Sequence, residues 1–428
     1  METESHIKRP HYAWYILASC IAFYGATMGI LINTQGIFMP PMLKDLGWSA
    51  TQYSAAGIIS GLVSVLTLLI VDKVYKRFPT KWVLFISVFI YAAGFLLKAF
   101  THNYIYYCCI CALLGIGAAF VLYVPAPMLI NAWFHQKKGF ALGMCMLSSG
   151  IAGAVMNPIV SALIESLGWR TAVLINSAIA MIVACPIVLI VVRKTPEEIG
   201  MLPYGARTNV HSLSEARTDD HGKAAQQFFS SRFSGRQKTG KFIICLLLAT
   251  LLNLLSCVSS HLANFAASRG LAAAIGATLT TALMLGNLSS KAVMGVCMDK
   301  YGKKTTLLIS MILVAVSYFG LGLSGDAVVL MFICAFFLGI TAAHNTIVMP
   351  SMVETFAIGD EYTRIISKVS MGTMLASAFS GVITSGLFDL TGAYSPVWIL
   401  YGSIEIVCIV LLLIFYKKSG KTSVYAGR

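Results

Sequence analysis

An all-α membrane protein of twelve spanning helices, arranged as two pseudo-symmetric six-helix bundles, is the fold this sequence predicts, and three observations predict it. The first is composition: of 428 residues, 57% are hydrophobic and only 11% charged, with a mean hydropathy of +0.79. A soluble domain of this size carries about a quarter charged residues. The second is recurrence, because apolar stretches long enough to cross a ~30 Å hydrocarbon layer follow one another down the whole chain. The third is a polar segment, 194–240, that divides those stretches six and six.

The first span, 13–35, is too long, and too poorly followed by a cleavage site, to be a signal peptide. The second, 52–72, runs into the basic loop 72–81, and the third and fourth cover 82–101 and 104–133. The fifth, 140–163, carries Gly150, Gly153 and the pair Asn157-Pro158, the marks of close helix packing and a kink. The sixth covers 171–193. After the linker come 242–267, 273–298, 305–324, 327–349, 365–388 and 396–416. The domains are therefore 1–193, a cytoplasmic linker 194–240, and 241–428 with a cytoplasmic tail. The halves echo one another: LIESLGWR (163–170) follows the fifth span and LFDLTGAY (387–394) the eleventh. Two six-span repeats about a linker are the plan of a rocking carrier with a central site.

The formal net charge of +14 could suggest nucleic acid, but its distribution says otherwise. With both termini cytoplasmic, 26 of the 31 Lys and Arg fall on inner segments, leaving Lys44, Lys98, Arg170 and Arg269 outside and Lys291 within a span. That asymmetry is the positive-inside pattern of a multi-pass protein of the plasma or inner membrane, so the expected partners are membrane lipids and not nucleic acid. The eleven cysteines show no CxxC or Cys/His spacing, which gives no case for a metal or a disulfide framework. No nucleotide loop or catalytic constellation appears, so neither an enzyme nor a cofactor is expected.

Lys291 is the basic residue set deep in an apolar span, LMLGNLSSKAVMGVCM (283–298). Eight residues separate it from Asp299, which places it about 12 Å from that polar border. A lysine at the centre of a span costs ~2.5–3.5 kcal/mol on insertion scales, so it either snorkels toward headgroups or serves a ligand. Asn287, Lys291, Gly295 and Asp299 recur every four residues and share one helix face, while Val293 and Val296 lie opposite. Glu405 is the other deep charge, in the twelfth span, and is a candidate for proton coupling alongside Lys291 and His261. His261 lies in a polar stretch with Ser256, Ser259, Ser260 and Asn264, and its ordinary pKa of ~6.5 suits proton exchange. Asn33, near the outer end of the first span, is a candidate cavity-wall residue or a helix cap.

The loop GVCMDKYGKK (295–304) resembles the GxLxDxxGxR signature of the major facilitator superfamily. That resemblance implies a gating or structural role for Gly295, Asp299, Gly302 and Lys303. The first-half counterpart, DKVYKRFPTK (72–81), is degenerate: Asp72 is displaced and Pro79 stands where a glycine is usual. Three further segments are similar to the oxalate/formate antiporter and monocarboxylate transporter branch: NAWFHQKKGFALG (131–143), RKTPEEIGMLPYG (193–205) and HLANFA (261–266). In that branch the eighth span carries an anion-binding arginine in an N/D-xxx-R-xxx-G-xxx-D frame, and here lysine occupies its place. The exchange matters, since arginine offers a planar fork to a carboxylate and lysine a point charge. The branch also implies a substrate-contacting tyrosine at Tyr123.

The resemblance thus implies a monomeric secondary carrier of a small organic anion. A monocarboxylate is expected, because one deep cation is present where two would suit a dianion. The expected site comprises Lys291, Asn287, Tyr123, His261, Asn33 and Asn264, with proton symport or anion exchange as the mode. The alternatives are export of larger amphipathic compounds and a non-transporting membrane sensor.

Overall fold

Residues 11–122, 124–205, 235–344, 352, 353, 355, 356 and 360–417 are described by the computed structural model, and helices carry nearly all of them. Each predicted span falls on helix over its described residues, the end of the tenth, 345–349, lying outside them. The first four are Tyr12–Leu46, Ala50–Arg77, Thr80–Phe100 and Tyr104–Trp133. The fifth and sixth form one run, Lys138–Val191, broken at Gly168 with φ 79° and ψ 159°. That backbone is essentially closed to a residue with a Cβ, so the glycine of LIESLGWR makes the turn between the two spans. Then follow Thr239–Ser268, Ala273–Tyr301, Lys303–Leu323, a tenth helix opening at Val328, Asp360–Thr391 and Ser395–Lys417.

The first helix continues well beyond its predicted end at 35, despite Pro40 and Pro41. Ile37, Phe38, Met39 and Met42 are all buried there, so tertiary packing overrides the low helical preference of the prolines. The same helix widens into a π-helical stretch at Gly25–Ile32, which leaves backbone carbonyls out of register. Asn176 of the sixth span meets one of them: its Nδ2 donates to Ile30 O at 3.0 Å and to Thr34 Oγ1 at 3.2 Å, fully buried.

The chain forms two compact units. One comprises Met1–Thr34, Ile59–Met156 and Leu163–Thr208; the other comprises Gln35–Ile58, Asn157–Ala162 and Asn209–Arg428. The second unit thus takes in the far end of the first span and the start of the second, which belong by sequence to the first half. In the first unit, the segments 131–143 and 193–205 pack together at the end bearing the basic loops. Tyr204 N donates to Trp133 O at 2.8 Å and His135 N to Tyr204 O at 2.9 Å. Trp133 Nε1 donates to Arg193 O at 2.9 Å, and the Tyr204 ring meets Trp14 and Phe134. Between them, at Pro196–Ile199, a hydrogen bond from Thr195 holds the Glu197 carboxyl below the usual carboxylate range.

Candidate functional site

The site begins with the eighth span, Ala273–Tyr301. Leu285, Ser289, Val293, Val296 and Lys300 are exposed along one stripe, while Leu283, Gly286, Ser290 and Met294 are buried on another. At 100° per residue Lys291 lies about 160° from Val293, turned away from the exposed stripe, and Asn287 is one turn above it on the same face. Lys291 is half-buried, and among the described residues no hydrogen bond or ion pair reaches it. The Asn287 Oδ1 is buried and has no hydrogen-bond partner among those residues either.

A helix crossing fixes this pair. A Cβ on Gly286 would overlap the carbonyl of Phe336, and one on Gly339 would lie 2.3 Å from Asn287 N. The eighth and tenth spans therefore touch backbone to backbone at Gly286 and Gly339, as small residues permit. Asn287 stands at the contact itself, and Lys291 follows one turn nearer the basic end.

His261 and Asn264 are held elsewhere. His261 Nδ1 pairs with Tyr394 Oη at 3.0 Å, and Asn264 Nδ2 donates to the same oxygen at 2.7 Å, all three side chains buried. The Tyr394 ring stacks on Phe388 at 4.4 Å and on Trp398 at 5.5 Å. His261 precedes the helix end at Ser268 by seven residues, and Lys291 follows the start at Ala273 by eighteen. The short connection makes the two helices antiparallel, so the two side chains sit about 16 Å apart along the axis. A small carboxylate is too short to touch both.

Around His261 the second unit closes a seam at the end opposite the basic loops. Gly36 abuts the backbone of Ser259 and Ser260, where an added Cβ would lie 2.8 Å from Ser259 O. Ser54 Oγ and Ser385 Oγ share a hydrogen bond of 2.6 Å. Asp389, at the end of the eleventh helix, accepts from Ala50 N at 3.3 Å and Thr51 N at 2.8 Å. It thereby caps the second helix from a distance of more than 300 residues in sequence.

Asn33 lies in the first unit, where its Nδ2 donates to Ser149 O at 2.9 Å and its Cβ faces Gly153. Since the helix continues past it, Asn33 ties the first span to the fifth and does not cap an end. Glu405 is fully buried in the twelfth span, and neither carboxylate oxygen has a hydrogen-bond partner among the described residues. Nearby, Cys257, Thr384 and Tyr401 join the seventh, eleventh and twelfth spans in one polar cluster.

Comparison with known proteins decides the family. The family model "Major Facilitator Superfamily" matches residues 15–272 and 240–426. The chain belongs to the major facilitator superfamily. Among similar proteins, "Probable transporter MCH2" of Saccharomyces cerevisiae is 24% identical over 309 residues, covering 71% of this chain and 60% of that protein. "Monocarboxylate transporter 12-B" of Danio rerio is 27% identical over 168 residues, 38% of this chain and 34% of the relative. "Monocarboxylate transporter 11" of Homo sapiens is 22% identical over 171 residues, 40% and 36% of the two chains. The chain thus matches between about a third and three-fifths of the length of these relatives. In fold, it is similar to a D-xylose-proton symporter (TM-score 0.71, 12% identity, 97% of this chain and 100% of that one). A point mutant of the nucleoside transporter NupG gives a TM-score of 0.69 at 14% identity over 94% of this chain and 99% of that one.

The superfamily's signature loop is partly visible. Gly302 adopts φ 82° and ψ 153°, a backbone that needs glycine, and so turns the eighth helix sharply into the ninth at Lys303. The Lys303 side chain is exposed. The side chains of Asp72 and Asp299, the surroundings of Gly295 and the whole of Tyr123 lie outside what is described. Sequence reasoning singled out neither Tyr394 nor Asp389 as a functional side chain, although both belong to the echoed segment LFDLTGAY. Lys98, at the end of the third span, is buried, its Nζ 4.4 Å from the centroid of the Phe95 ring.

Proposed function

We propose that this chain is a secondary transporter that carries a small organic anion across a membrane by alternating access, with a monocarboxylate as the substrate class. The halves 1–193 and 241–428, joined by the cytoplasmic linker 194–240, move about a midplane site. The anion pairs with the Lys291 ammonium and takes further hydrogen bonds from Asn287 and Tyr123. The observation that carries this reading is the half-buried Lys291 beside a buried Asn287 amide oxygen, neither of which has a partner among the described residues. An intramembrane cation left without a counter-charge suits a protein whose ligand supplies it. The similarity of the chain to monocarboxylate transporters supports a monocarboxylate as that anion.

Uptake of a labelled monocarboxylate panel into proteoliposomes tests the proposal. Lys291→Ala abolishes uptake while the protein still elutes as a folded monomer; normal uptake by that variant overturns the site. Lys291→Arg retains part of the uptake, because a fixed cation remains. An imposed pH gradient separates the two modes. Acceleration by the gradient supports proton symport, through Lys291 itself or through His261 or Glu405, and indifference to it supports anion exchange at Lys291.

A further inference from the structure

The second, third and fourth spans leave between them an apolar groove of about 340 Å³ whose walls include Val74, Phe78, Trp82, Ile86, Ile116 and Phe120. Its one hydroxyl, on Ser87, is spent within the helix by donating to Val83 O at 2.7 Å. The groove therefore offers nothing to a polar ligand. It is open sideways: Phe78, Trp82 and Ile86 are each about half exposed, at 52%, 53% and 51%.

Depth and charge indicate the occupant. The third-span wall runs from Pro79 to Ile90, eleven steps along the chain, which is about 16 Å of helix. That is close to half of a ~30 Å hydrocarbon layer, the depth of one leaflet. Two cations stand at the mouth, over the very rings that line it. The Arg77 guanidinium carbon is 5.8 Å from the Phe78 ring centroid, and Lys81 Nζ is 6.0 Å from that of Trp82. Below the cations the walls are almost wholly hydrocarbon and aromatic.

We propose that this groove binds one acyl chain of an anionic phospholipid, with Arg77 and Lys81 holding its phosphate. A zwitterionic lipid gains the apolar wall but not the charge complement, and a soluble anion gains the charge but not the wall. The degenerate loop 72–81, whose Pro79 lies in the groove wall, is on this account a lipid-binding element. This inference is independent of the transported substrate, since no residue of the groove belongs to the proposed anion site.

Trp82 supplies the readout, because bromine on an acyl chain quenches indole fluorescence at contact. Purified full-length protein is placed in phosphatidylcholine vesicles containing increasing fractions of chain-brominated phosphatidylglycerol, or of chain-brominated phosphatidylcholine. The Trp82 signal is the difference between the wild type and Trp82→Phe. Attraction by two cations predicts half-maximal quenching at a mole fraction roughly threefold or more lower for the anionic lipid. Arg77→Gln combined with Lys81→Gln abolishes that preference, while Ile116→Phe, which fills the groove and leaves both cations, lowers the maximal quenching by either lipid. Equal quenching by the two lipids in the wild type overturns the proposal, as does a preference that survives loss of both cations. Unchanged maximal quenching in Ile116→Phe overturns the groove as the seat of the chain.

Discussion

Removing the Asp389 carboxylate tests whether the seam opposite the basic loops is a latch. In the closed seam that carboxylate accepts Ala50 N at 3.3 Å and Thr51 N at 2.8 Å, two first-turn donors that the Ser49–Gln52 capping pair of the second helix leaves open. When the seam parts, those two N–H groups return to water and the distant acceptor is lost. Asp389→Ala therefore destabilises the closed arrangement and leaves the parted one untouched. A cap acceptor contributes about 0.5–2 kcal/mol, and Asp389 is exposed, which favours the lower part of that range. The population of the parted seam rises by roughly twofold to thirtyfold. A cysteine at Gly386 reports it, since its Cβ would sit 3.7 Å from Thr51 Oγ1, partly covered by the seam, and become more accessible on parting. The assay is the labelling rate of Gly386→Cys by a membrane-impermeant maleimide, resolved by site with mass spectrometry because eleven native cysteines are present. Asp389→Asn, which keeps one acceptor oxygen without the charge, gives an intermediate rate. A rate in Asp389→Ala that stays within experimental error of the parent refutes the latch.

Tyr394→Phe keeps the ring stack on Phe388 and Trp398 but strips His261 and Asn264 of their shared partner; buried groups left unpaired in this way cost about 1–3 kcal/mol. A melting temperature in detergent lower by several degrees is expected, and an unchanged one contradicts the buried network. Gly339→Ala forces a Cβ to within 2.3 Å of Asn287 N, so the eighth and tenth spans separate. Overpacking of about 1–3 kcal/mol is expected, with uptake falling more than the melting temperature implies because Asn287 and Lys291 move with the crossing. Asn176→Leu leaves Ile30 O without its donor at the π-helical stretch, and faster amide hydrogen exchange across Gly25–Ile32 than across the neighbouring helical turns is the expected sign.

The fold was legible because bilayer physics writes itself into composition: apolar length, basic-loop bias and a polar linker are all one-dimensional signals. Lys291 was legible for the same reason, since a charge in an apolar run stands out without any contact map. Gly286 and Gly339 were not, because a glycine in a span says nothing about which helix it meets. Tyr394 was hidden differently. It sits in a short connection that reads as loop, and only folding returns its hydroxyl to His261 and Asn264 from at least 130 residues away. The end of the first span was misjudged because Pro40 and Pro41 are strong local signals, and local signals lose where Ile37, Phe38 and Met42 can be buried.

The open polar groups around Lys291 carry more weight together than any single residue does. At the end away from the basic loops, Asp389, Ser54, Ser385, Asn264, His261 and Tyr394 all find partners within the protein. Nearer the middle, among the described residues, Asn287 Oδ1 and both amide atoms of the buried Asn157 find none, and Lys291 finds none either. The gap at Asn287 is not a failure of packing, since Gly286 and Gly339 bring two backbones into contact beside it. Unsatisfied groups beside so tight a crossing are expensive unless water or a ligand completes them. A lysine makes that ligand an anion, and the lack of an arginine fork leaves its orientation to the neighbouring amides rather than to the cation. Substitution of Asn287 should therefore alter which carboxylates are carried, while substitution of Lys291 should stop them all.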